Sequence, residues 1–154
     1  MCGDFFSMKM NRLPIILMFI LPVAKADCWI YAEQKFGIES KLLTAIAQVE
    51  SGMKQEAKGV NKNGSVDYGL MQINSMHLPR LQRIGISKDL LYKDPCVSVL
   101  VGASILSEMM KIYGYSWEAV GAYNAGTGKG RHKLRMKYAS KVWRVYNKME
   151  VTKN

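Results

Sequence analysis

Glu50 closes the apolar run Leu42-Leu43-Thr44-Ala45-Ile46-Ala47-Gln48-Val49-Glu50, and Ser51-Gly52 follow at once. The run reads as a helix. Ala47, Ile46 and Leu43 lie three, four and seven residues before Glu50 and share its face. Lys41, Thr44, Gln48 and Ser51 trace the polar face. The carboxylate therefore points toward the core, and it does so at the helix C-terminus, where the macrodipole disfavours negative charge. Two local rules are broken at one position, which tends to mark a functional site. Apolar neighbours and the dipole both favour the protonated acid and raise its pKa. A carboxylic acid still protonated near neutral pH is the general acid that cleavage of a glycosidic bond requires. The plain alternative is a terminal Glu that bends out to solvent.

Further blocks of interest follow Glu50-Ser51-Gly52: first Gly69-Leu70-Met71-Gln72-Ile73-Asn74-Ser75, then Ala122-Tyr123-Asn124-Ala125-Gly126. Each alone has an ordinary reading as a turn or a helix end. Asp67 lies 17 residues after Glu50 and just before the Gly69 turn. It could stabilise positive charge or hold a water at the same site, or it could bond its own backbone turn.

The elements that must position these residues are helices. Cys28 to Phe36 reads as a short helix ended by Gly37, and Ser40 as the cap of the Glu50 helix. Met53 to Asp67 is polar and reads as a loop with at most a small turn or hairpin, followed by a compact turn at Gly69 to Asn74. His77 to Ile84 reads as helical. Asp94-Pro95 starts a helix that runs to Tyr113, with Gly114 as its stop. Ser116 caps a helix through Ala122, Gly126 to Gly130 is a flexible break, and Tyr138 to Met149 is a last amphipathic helix. The fold class expected is mainly all-α, one domain with a cleft.

The 154 residues fit one domain, which is expected to span 27–150, with a tail at 151–154. The first 26 residues read as a signal peptide. Lys9 and Arg12 are its positive region, Leu13 to Val23 its apolar region, and Ala24-Lys25-Ala26 its cleavage site. The apolar stretch of 11 residues is too short to span a bilayer. An N-terminal anchor or a core helix is the alternative. Translation from Met8 or Met10 would fit the pattern as well as Met1. The residues before Cys28 do not suit lipidation.

Loss of Lys9, Arg12, Lys25 and Asp4 with that segment takes the net charge from +10 to +8. A basic domain suits a polyanionic partner such as cell wall, nucleic acid or an anionic membrane. The densest stretch is Lys129, Arg131, His132, Lys133, Arg135 and Lys137, without the stacking aromatics of a nucleic-acid site. Cys28 and Cys96 are an even pair in an exported domain and read as a disulfide, with two buried thiols as the alternative. With only His77 and His132 beside them, no metal-ligand spacing exists, and no cofactor is expected.

Taken together and in order, the three blocks resemble the lytic transglycosylases of the soluble-lytic-transglycosylase, goose-lysozyme-like superfamily. Within it, the chain closely resembles the small exported members that accompany bacterial secretion systems and pili. The resemblance covers Asp27 to Tyr146, including Asp94-Pro95-Cys96 and Tyr138 with Val142. It implies a lysozyme-like fold and cleavage of the MurNAc–GlcNAc β-1,4 bond of peptidoglycan, leaving 1,6-anhydro ends. It implies Glu50 as the catalytic acid and Tyr138 as its neighbour. Gln72 and Asn74 would grip N-acetyl and hydroxyl groups, and Met71 and Tyr123 would form cleft walls, with Met71 alternatively half in the core. Asn124 would contact substrate or orient Glu50, and Ser51 would touch substrate or cap its helix. Ser98 departs from the Asn common in relatives. Expected partners are peptidoglycan and a component of a secretion system or pilus, in the periplasm, with no nucleic acid and no lasting membrane insertion. The alternatives are a hydrolytic lysozyme using Glu50 and Asp67, and an inactive wall-binding assembly module.

Overall fold

The computed structural model describes residues 27–151. The expected signal peptide and the last three residues of the expected tail lie outside the described residues.

Local chemistry sets the helix ends. α1 (Cys28–Phe36) starts where Asp27 Oδ1 accepts from the Trp29 N–H, and it stops at Gly37, whose φ of 66° is left-handed. α2 (Ser40–Ser51) carries Glu50. Ser40 is not its cap. Glu39 holds that position without a side-chain bond, and the Ser40 N–H instead donates to Glu33 Oε2 at 2.9 Å, across the α1–α2 turn. α2 buries Leu42, Leu43, Ala45, Ile46 and Ala47.

The polar segment after α2 is more ordered than a loop with one hairpin. It forms a three-stranded antiparallel sheet in the order β1 (Lys58–Val60), β2 (Val66–Tyr68), β3 (Ile73–Asn74). Asp67 sits in its middle strand, opposite Gly59 on one side and Asn74 on the other. A 3₁₀ turn (Ser75–His77) leads into α3 (Leu78–Gln82), a shorter helix than the spacing suggested. α4 (Lys88–Lys93), which the sequence reading did not assign, is capped by Ser87.

α5 (Pro95–Tyr113) begins at Asp94, whose Oδ1 accepts from the Cys96 and Val97 N–H groups. It is long and apolar enough to cross a membrane, but it is the core helix, packed on α1, α4 and α6. α6 (Trp117–Ala125) runs one turn beyond the expected Ala122. α7 (His132–Val151) begins six residues before the expected Tyr138 and takes in Val151 from the expected tail. It packs on α2 and α6. The α6–α7 crossing requires Gly121, because a Cβ there would stand 2.2 Å from the Arg135 carbonyl oxygen.

The disulfide joins Cys28 and Cys96, at the starts of α1 and α5, with Cα atoms 5.2 Å apart. It closes a loop of 68 residues, which on the chain-entropy model stabilises by roughly 4 kcal/mol. Reduction is therefore expected to lower the melting midpoint by on the order of 10 °C. A Tm unchanged by reductant, measured by circular dichroism with thiols counted, would show that the bridge is thermodynamically idle.

Candidate active site

Glu50 reaches the site because α2 ends there. Its helix face is buried, and Gly52, with φ 60°, turns the chain away at once. Burial drives its pKa up from 4.5 to about 7. The Tyr138 hydroxyl, donating from α7 to Glu50 Oε1, pulls it back, the Asp67 charge adds to the rise, and Lys141 opposes it. The Tyr123 hydroxyl is also close. Burial holds its pKa well above the usual phenol range, with help from the Glu50 and Asp67 charges. Glu50, Asp67, Tyr123 and Tyr138 thus form one group, drawn from α2, β2, α6 and α7. A half-buried acid titrating near 7 can both donate and retake a proton at neutral pH.

Asp67 is held by two amides. Asn74 Nδ2 donates to Oδ1 at 2.7 Å and Asn61 Nδ2 to Oδ2 at 2.9 Å. Both amides also donate to Ser65 Oγ, at 3.0 and 3.1 Å. The carboxylate is fixed in orientation by residues on its own sheet and loop.

Several residues expected to meet a ligand are committed elsewhere. Asn74 spends its amide on Asp67 and Ser65, and its Oδ1 accepts from the Met76 N–H at 2.9 Å. Gln72 sits at φ 49°, an uncommon conformation for a non-glycine residue. Its Nε2 donates to the Ala57 and Gly69 carbonyls at 3.2 and 3.0 Å and holds the turn in that shape. For Met71 the core alternative describes its packing. It is fully buried, and its side chain fills the space beside Gly102. Ser51 Oγ bonds the Leu70 carbonyl at 2.7 Å and ties the end of α2 to the turn. Asn124 is exposed on the last turn of α6.

The Gly69–Gln72 turn is a junction. The Ser98 hydroxyl on α5 accepts from the Met71 N–H at 3.0 Å, and the Tyr123 hydroxyl on α6 donates to the Met71 carbonyl at 2.7 Å. Gly69, at φ 75°, would collide with the Leu91 carbonyl oxygen if it carried a Cβ, at 2.0 Å. Four elements therefore register against one turn, and that registration sets where Glu50, Asp67 and Tyr123 stand.

Sequence reasoning missed Asn61, Ser65 and Lys141. For Lys141 a signal existed, since it lies three residues after Tyr138 on one helix. Asn61 and Ser65 carried no signal beyond the turn-forming character of their segment.

The profile of the family described as "Transglycosylase SLT domain" matches residues 27–145. The chain is 60% identical over 143 residues to "Invasion protein IagB" of Salmonella typhimurium, covering 92% of this chain and 89% of that one. It is 49% identical over 138 residues to "Protein IpgF" of Shigella flexneri, covering 89% of this chain and 91% of that one. Among solved structures, it is similar to an inactive mutant of lytic transglycosylase Slt from Pseudomonas aeruginosa, with a TM-score of 0.60 and 22% identity. That likeness covers 81% of this chain and 24% of the larger protein, and it supports the lysozyme-like, mainly helical fold.

Proposed function

The chain belongs to the Transglycosylase SLT domain family and is a lytic transglycosylase; from that premise we propose that it cleaves the MurNAc–GlcNAc β-1,4 bond of peptidoglycan and leaves 1,6-anhydroMurNAc ends. The observation that carries this reading is Glu50: a carboxyl desolvated to a pKa of about 7, with a tyrosine hydroxyl on its oxygen.

In the first step the protonated Glu50 gives its proton to the glycosidic oxygen as the C1–O bond of the muramoyl sugar breaks. GlcNAc leaves with a free 4-hydroxyl. Glu50 is now a carboxylate, the form that the Tyr138 hydrogen bond and the Lys141 charge favour. In the second step it removes the proton from the 6-hydroxyl of the same sugar as that oxygen bonds to C1. The acid is restored and no water is consumed. Asn124 and Tyr123 are assigned to substrate contact at the cleft wall.

One observation favours a second reading. The charge of Asp67 is felt at Glu50, so a second carboxylate shares the site, as in a hydrolytic lysozyme. Mass spectrometry of products from purified wall separates the two, since an anhydro end lacks one water relative to a reducing end. We expect anhydro ends to dominate. Predominantly reducing ends would move the protein to the lysozyme reading. Intact wall after prolonged incubation would leave an inactive wall-binding module.

The substrate and the disulfide suit a periplasmic site of action, reached after removal of residues 1–26. The similarity to a protein called an invasion protein suits a role in opening the wall locally for a secretion apparatus or pilus.

A further inference from the structure

The outer face of α7 carries a charge pattern that the cleavage chemistry does not use. Lys133, Lys137, Lys141, Arg144 and Lys148 are all exposed, and none has an ion-pair partner among the described residues. At 3.6 residues per turn they fall within an arc of about 80°, over roughly 22 Å of helix. No acidic residue lies between His132 and Met149. Arg135, the other cation of the helix interior, is excluded from this face: it is buried and donates to Glu118 and to the Gly126 and Gly128 carbonyls.

Such a stripe costs helix stability. Lys133–Lys137, Lys137–Lys141 and Arg144–Lys148 are like-charge pairs at i,i+4 spacing, and each is destabilising. A bound polyanion relieves that repulsion. The stripe also adjoins the site: Lys141, one of its members, lies one helical turn beyond Tyr138, whose hydroxyl donates to Glu50. A glycan held at Glu50 therefore sits next to the Lys141 turn of the stripe.

Resting on the substrate assigned above, we propose that this face of α7 is a subsite for the free carboxylates of the peptide branches of peptidoglycan. The sugar backbone offers hydroxyls and acetamides to the cleft, and the branches supply the negative charge that the stripe matches. An anionic lipid surface is the competing occupant, since half-exposed Leu134 and Trp143 flank the stripe.

The test is the quadruple variant Lys133→Gln, Lys137→Gln, Arg144→Gln, Lys148→Gln. Lys141 is left in place because it acts on Glu50. Binding is read by sedimentation in a Glu50→Gln background, with intact wall sacculi, with glycan strands stripped of peptide by an amidase, and with phosphatidylglycerol vesicles. Turnover on stripped glycan is read in the active background. We expect the variant to bind intact sacculi roughly tenfold more weakly, with a flatter salt dependence. Its binding to and turnover of stripped glycan should stay within about twofold, and its melting midpoint should not fall. Unchanged binding to sacculi, or an equal loss on stripped glycan, overturns the proposal. Vesicle binding that the variant loses while keeping the wall assigns the face to a membrane and overturns it too. Products from stripped glycan report the cleavage chemistry separately, so the subsite can fail while that reading stands.

Discussion

Replacing Glu50 with Gln is expected to abolish wall cleavage while raising stability above neutral pH. The amide is nearly isosteric and keeps an acceptor for the Tyr138 hydroxyl, so the fold should persist. It has no transferable proton, and loss of general acid–base catalysis costs about 10²–10⁴-fold or more. The stability effect follows from burial. The folded-state pKa of Glu50 is about 7 against 4.5 for an ordinary carboxyl, so folding favours the protonated form. Below 4.5 the group is neutral in both states and costs nothing. Between 4.5 and 7 the unfolded chain ionises while the folded state still holds the proton, so across that window the parent loses on the order of 2 kcal/mol that the Gln variant keeps; above 7 both states are charged and the loss levels off. The parent's kcat/KM should hold over that window and fall as pH rises above about 7, because the folded acid must be protonated to act. Turnover on sacculi and melting midpoints between pH 4 and 9 check both halves. Substantial residual cleavage by the purified variant would remove Glu50 from the chemistry. Parallel pH–stability curves for the two proteins would mean that Glu50 is solvated.

Asp67→Asn is expected to lower kcat by roughly 10–100-fold, less than Glu50→Gln, with wall binding retained. The leaving oxygen must receive a proton, whereas an intramolecular hydroxyl needs no second carboxylate. The substitution is not silent for the loop. Both Asp67 oxygens accept from amide N–H groups, so the new NH₂ would face a donor. Asn74 cannot turn over without releasing the Met76 N–H, so Asn61 must be the one that rotates. A pH profile separates charge from shape. Loss of the Asp67 charge removes one contribution to the raised Glu50 pKa, so the alkaline limb, on which Glu50 loses its proton, should move to lower pH. A fall in kcat with an unmoved limb would assign Asp67 to loop geometry, and unchanged kcat at saturating substrate would end its electrostatic role.

The helices with chemical punctuation were legible. Gly37 ends α1, and Asp94-Pro95 and Gly114 bound α5, because caps and stops are local. Glu50 was legible because 3.6-residue spacing placed it with Leu43, Ile46 and Ala47, all buried. The sheet was not. Its strands have three, three and two residues, too short for alternation, and side-chain amides hold it as much as an apolar face does. α4 is six residues long and buries only Leu91, so it shows no period. The early start of α7 was hidden because the one buried residue of its first turns is a charge, Arg135. The family resemblance pointed to blocks that the fold brings into contact but could not divide their labour. Gln72, Asn74 and Ser51 carry groups able to hold sugars, and here the same groups bond backbone and, for the Asn74 amide, the Asp67 and Ser65 side chains.

The position of the disulfide bears on how long the enzyme lasts outside the cell's reducing interior. The loop between Cys28 and Cys96 contains Glu50, Asp67 and the whole sheet, while α6 and α7, which supply Tyr123 and Tyr138, lie beyond it. The exposed Asn61–Gly64 turn is the kind of site that a protease cuts first. A single cut there falls inside the closed loop. The two fragments stay joined through sulfur, one carrying the acid and the other its supporting residues, so a nicked molecule remains one molecule.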